Sequence, residues 1–464
     1  MKKIYIIGSL ALLFAACKPS VNIKTKLTPG TANFTTYMAV GNSLTAGYSD
    51  NSLSLSGQLN SYPERLFEQF QLVGCKGPFV IPLLNSDAGF PTAKYILGYT
   101  VGCNGDTSLG PISYPNFAVN PYDALYTPSA SNPPNQINNL GVPGIRMVDY
   151  DVLGYGNPAY GAGNYNPYAA RFYSNTAGTP MDELSFRVRN LHPTFFTFWL
   201  GANDVLGFAS GGGTGDGSGN AAPILPAPFN LYASNAISPT AVFEKLYDSA
   251  LNVAISTGGV SGALINIPNV TSVPFFTTVP ANGLTLTRQG QADTLTALYG
   301  NNPNYSFKVG ANYFIVQEHD GTTRQAIPGE LILLTVPQDS LTCYGMGSLY
   351  PIPSQYVLTT EELQDISTAT ITFNAYIKSE ALKYNLAYVD MYNYLGTIQS
   401  GITFNGVNYN ATYVTGGAFS LDGVHLTQRG YAIVANKILT DINAFYGSTI
   451  PSIDVNKYVG VQFP

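Results

Sequence analysis

The stretch His192-Pro-Thr-Phe-Phe-Thr-Phe-Trp-Leu200 limits this chain's fold more than any other, because it is apolar on both faces and ends abruptly in Gly201-Ala202-Asn203-Asp204. A strand with no polar face must be covered on both sides, and such strands belong to the centre of a parallel sheet flanked by helices. Comparable runs occur at Thr36 to Val40, at Ile137 to Leu140, from Gly262 to Val270 and from Leu386 to Met391. Between them lie helical patterns. Tyr62 to about Leu72 places Leu66, Phe67 and Phe70 on one side, and Ala241 to Thr257 does the same with Val242, Leu246, Ala250, Val253 and Ala254. Thr359-Thr360-Glu361-Glu362 suits the cap and first turn of a long helix to about Tyr384. Leu426 to Phe445 forms a last helix with Ala432, Ile433, Ile438, Leu439 and Ile442 inward. Strand and helix alternate about five times, which predicts an α/β fold on one parallel sheet.

Two excursions break the rhythm. Residues 74–134 lose all periodicity and fill with Gly, Pro, Asn and Tyr, so they are expected to carry short strands or to wall a binding cleft. Residues 271–356 contain alternating runs such as Tyr313 to Val316 and Leu331 to Val336, as in an antiparallel insertion or a cap.

The first residues form a targeting device: Lys2-Lys3 is basic, Ile4 to Phe14 is apolar but too short to span a membrane, and Ala15-Ala16-Cys17 follows. This resembles a bacterial lipoprotein signal over residues 1–16, cleaved before Cys17, with the Cys17 thiol acylated as a membrane anchor and residues 17–31 as a tether. The abundance of Tyr and Asn makes the outer membrane the expected site. Export makes the other thiols disulfide candidates. Cys75 and Cys103 both lie in glycine-rich loops and are the expected pair, leaving Cys343 over. Only 21 Lys and Arg oppose 27 Asp and Glu, a balance with no cationic footprint for nucleic acid. With three histidines and no C-x-x-C spacing, a zinc cluster has little to draw on.

Chemistry gathers at strand ends. Gly41-Asn42-Ser43-Leu44 turns from a strand into a helix and leaves the Ser43 hydroxyl at the junction, where it either caps the helix or acts as a nucleophile. Gly141-Val-Pro-Gly144 ends the next strand with a residue that lets the backbone approach closely. Asp422-Gly-Val-His425 precedes the last helix, and an imidazole three residues after a carboxylate can be oriented by it.

In this order the four segments resemble the blocks of the SGNH hydrolases, also called GDSL esterases and lipases, over about residues 34 to 444. The resemblance implies a three-layer α/β/α flavodoxin-like fold with a five-stranded parallel sheet, occupying residues 32–446 with insertions at about 74–134 and 271–356. Residues 447–464 would be a C-terminal extension. It also implies Ser43 as nucleophile, His425 as general base and acid, and Asp422 as its orienting partner. The oxyanion hole would be the backbone N–H of Ser43, the backbone N–H of Gly144 and the side-chain amide of Asn203, with no metal or cofactor required. One departure is Asn42, where the family usually has Asp; Asn is expected to cap in its place. The expected activity is ester hydrolysis through an acyl-enzyme, on a lipid or an acylated glycan. The alternatives are a carbohydrate acetylesterase or a non-catalytic glycan-binding lipoprotein.

Overall fold

Backbone pairing of the apolar runs organises the molecule, which is represented by a computed structural model describing residues 26–120, 123–126, 136–161, 164–227 and 229–463. Five strands, β1 (Tyr37–Gly41), β2 (Asn139–Gly141), β3 (Phe195–Trp199), β4 (Ser261–Ile265) and β5 (Ala387–Val389), form one sheet in the order β2-β1-β3-β4-β5. Every neighbouring pair is parallel. Register follows the sequence pattern: Tyr37 lies opposite Phe195 and Gly41 opposite Trp199. Phe195, Phe196, Phe198 and Trp199 are all 0% exposed, as a strand apolar on both faces requires. The polar groups among them are paired, the Tyr37 hydroxyl lying 2.8 Å from Thr197 Oγ1.

The helices that frame the sheet and its crevice are α1 (Ser43–Ala46), α2 (Tyr62–Gln71), α3 (Pro180–Leu191), α4 (Asn203–Ser210), α5 (Thr240–Ala254), α6 (Thr360–Lys383), α7 (Met391–Ser400) and α8 (Gln428–Tyr446). Helices α2 and α8 pack together on one face of the sheet, and α3, α5 and α6 on the other. The result is the expected three-layer α/β/α architecture. Local chemistry explains the helix starts. At α6, Thr359 Oγ1 accepts from the Glu362 N–H while the Glu362 carboxylate accepts from the Thr359 N–H at 2.8 Å, closing a capping box. Beyond α8, Ile450, Ile453 and Val455 turn back into the core, and the Thr31 N–H donates to the Tyr446 carbonyl at 2.9 Å.

Both excursions carry structure. The first projects an antiparallel hairpin, Tyr95–Val101 with Thr107–Ser113. The second builds small antiparallel pairs, among them Leu284–Leu286 with Gly310–Asn312 and Ile315–Gln317 with Thr323–Gln325, and a helix over Gln289–Leu298 for which its sequence carries no strong apolar period.

The expected Cys75–Cys103 disulfide is not formed. Cys103, at the hairpin tip, is bonded to Cys343, with Cα atoms 6.3 Å apart, so the two excursions are tied to each other across 240 residues of sequence. Cys75 is a free thiol, 8% exposed at the end of α2, where its Sγ donates to the Thr35 carbonyl and burial raises its pKa. The glycine-rich loops around Cys75 and Cys103 share composition but not location: one closes a helix against the core, the other caps an exposed hairpin. Cys17 and the leader lie outside the described residues. Among the described residues no helix is long and apolar enough to cross a membrane.

Candidate active site

In an open parallel sheet the crevice lies at the carboxyl ends of the strands where the strand order reverses, here between β1 and β3. Ser43 leaves β1 at that point and Asn203 leaves β3. Asn42 is 1% exposed and its Oδ1 accepts from the Leu44 N–H at 3.1 Å, so Asn42 supplies the cap and the Ser43 hydroxyl is left for another partner. The Ser43 N–H is the first in α1 and has no intrahelical acceptor.

That other partner is His425, whose Nε2 lies 2.9 Å from Ser43 Oγ. Its Nδ1 lies 2.9 Å from Asp422 Oδ2. Gly423, at φ +73°, makes the turn that lets Asp422 Oδ1 accept from both the Val424 and the His425 N–H groups at 2.8 Å. Asp422 Oδ2 also accepts from the Asn51 N–H at 2.9 Å. Burial alone would raise this carboxyl, but the adjoining imidazole and these N–H donors outweigh it and hold Asp422 well below the ordinary carboxylate range. The pair is shielded, with side chains 15% exposed for His425 and 9% for Asp422. The Tyr48 ring packs against the imidazole with centroids 4.6 Å apart.

The residues expected to supply the oxyanion donors border the same cavity as Ser43 and His425. Gly144 has φ +83°, a conformation that side chains rarely adopt, and it borders the same cavity as Ser43 and His425. Asn203 Nδ2 donates to the Ile145 carbonyl at 2.9 Å, which fixes the amide beside Gly144 and leaves a second N–H on that nitrogen. The cavity measures about 340 Å³, opens to solvent and is walled by Tyr48, Asn51, Pro143, Tyr168 and Phe275.

Two supporting residues have weak sequence signals. Asp204 is buried beneath the Gly144 loop and accepts from the Met147 N–H at 2.8 Å, and burial pushes its carboxyl up to about 7. Its place in the Gly201-Ala202-Asn203-Asp204 block marked it, but not its task. Asn51 acts through its backbone on a residue 371 positions away, and nothing local announces that contact.

A hydroxyl, an imidazole and a buried carboxylate joined end to end at a switch point have the composition of a serine-hydrolase site. The chain belongs to the GDSL-like lipase/acylhydrolase family, which matches residues 37–438, and general ester-hydrolase activity goes with that membership. Comparison with curated proteins returns no match.

Proposed function

We propose that the protein is a serine esterase that works through an acyl-enzyme on Ser43. The observation that carries this reading is the unbroken chain from Ser43 Oγ to His425 Nε2 and from His425 Nδ1 to Asp422, at 2.9 Å and 2.9 Å. Asp422, held ionised, keeps the proton on Nδ1 and leaves Nε2 free to take the Ser43 proton. Ser43 Oγ then attacks the ester carbonyl carbon. Charge on the former carbonyl oxygen falls to the N–H groups of Ser43 and Gly144 and the Asn203 amide, roughly 3 kcal/mol apiece by analogy with known oxyanion holes. His425 returns the proton to the departing alcohol, and water, activated by the same imidazole, clears the acyl group.

Hydrolysis of p-nitrophenyl esters from C2 to C16 and of acetylated xylan, by wild type and Ser43→Ala, tests this. Wild type should be active and the variant should lose all but a trace; equal rates would sink the assignment of Ser43. A carbohydrate acetylesterase remains the second reading, because Tyr48, Tyr168 and Asn51 on the open side offer stacking and hydrogen-bonding surfaces. A non-catalytic glycan-binding lipoprotein would call for Ser43 apart from His425 or a blocked cleft, and the 2.9 Å contact and the open cavity count against it.

The hydrolase domain in this reading spans residues 32–446, with both excursions as its insertions. We further propose that Cys17 is acylated and anchors the protein to the outer membrane. Mass spectrometry of the N-terminal peptide from cells should find a lipid-modified Cys17, and Cys17→Ser should release the protein from membranes.

A further inference from the structure

Ser43 and His425 border two spaces, and the two differ in kind. One is the open cavity of about 340 Å³ already described. The other, which also shares Asn203, Leu206 and Val424 with that cavity, is a narrow slot of about 40 Å³ whose walls are mostly apolar. Leu206 from α4, Pro268, Val270 and Val273 from the segment after β4, Leu395 from α7 and Phe419 form those walls. Val270, Val273, Leu395 and Phe419 are 5% exposed or less, so the slot has a packed floor.

From these walls we infer that the slot holds the acyl group of the ester and limits it to a short chain. The inference rests on the reading of Ser43 as nucleophile. The alcohol must depart into solvent after the first step while the acyl group stays on the enzyme, which assigns the alcohol to the open side and the acyl group to the enclosed one. Apart from Asn42, Asn203 and the Ser43–His425 pair, the slot has no side chain that could replace the hydrogen bonds to water that a hydroxylated group would lose on entering it. An alkyl group loses none. At about 40 Å³ against about 340 Å³ for the open cavity, the slot suits a short alkyl tail such as propionyl or butyryl. A fatty chain would have to displace Leu395 or Val270 from the core.

The test compares p-nitrophenyl acetate, butyrate, octanoate and palmitate with wild type, Ser43→Ala, Leu395→Ala and Val273→Ala. Wild type should prefer butyrate or acetate over octanoate by at least about ten-fold in kcat/KM, the scale on which an apolar pocket discriminates chain length. Leu395→Ala, which lengthens the slot, should narrow that ratio by raising the octanoate rate; Val273→Ala gives the same reading should the first variant fold poorly. Equal wild-type rates on acetate and palmitate, both abolished in Ser43→Ala, would overturn the slot and leave Ser43 standing. Absence of Ser43-dependent hydrolysis on every ester would overturn both.

Discussion

Asp422 shows how one side chain can be held in a single protonation state by its surroundings. It accepts three backbone N–H groups as well as the imidazole, so Asp422→Asn should preserve the fold, misdirect the His425 tautomer and lower kcat by about 10³–10⁴. In the proposed mechanism the second N–H of Asn203 serves the charge that develops and not the bound ester, so Asn203→Ala should lower kcat by about 10²–10³ with little change in KM. Steady-state kinetics at saturating ester separates the two effects. Asp204 runs the other way. Burial raises its carboxyl to about 7, above its value in the unfolded chain, so the stability it contributes is complete in acid and is lost as pH rises through about 7. Asp204→Asn keeps an acceptor for the Met147 N–H without the charge. Its melting temperature relative to wild type should therefore rise between pH 5 and pH 9, and a difference that stays constant would contradict the assignment.

Among the elements, α1 is the shortest at the site and depends most on its cap. Asn42 makes the cap with a neutral amide, since the Leu44 N–H needs only an oxygen. Asn42→Asp should retain wild-type activity, whereas Asn42→Ala should cost about 1 kcal/mol of stability and part of kcat, as measured by denaturation and ester hydrolysis. The Cys103–Cys343 bond acts at the same scale, joining a hairpin tip to a short helix of the other excursion. Cys343→Ser should lower stability by about 2–5 kcal/mol. Such links explain what was and was not legible in the sequence. Strand β3 and the cap of α6 announce themselves because their causes, burial on both faces and a reciprocal Thr359–Glu362 bond, are local. The partner of Cys103 depends on where a hairpin points, which no neighbouring residue encodes.

For the whole molecule, the strand order places Ser43 and Asn203 at the same crevice and leaves α8 to deliver the Asp422–His425 loop across it. The four sequence blocks are therefore legible as a site only through the topology that unites them; Asn51 and the walls of the slot, contributed by segments scattered from Leu206 to Phe419, are not. The central claim is that Ser43 is the group that becomes covalently modified. Peptide mapping by mass spectrometry after brief treatment with a small fluorophosphonate tests it most directly. A single adduct on the peptide containing Ser43, formed in wild type and absent in His425→Ala, is the predicted result. An adduct on a different residue, or full hydrolytic activity with Ser43 stoichiometrically blocked, would contradict it.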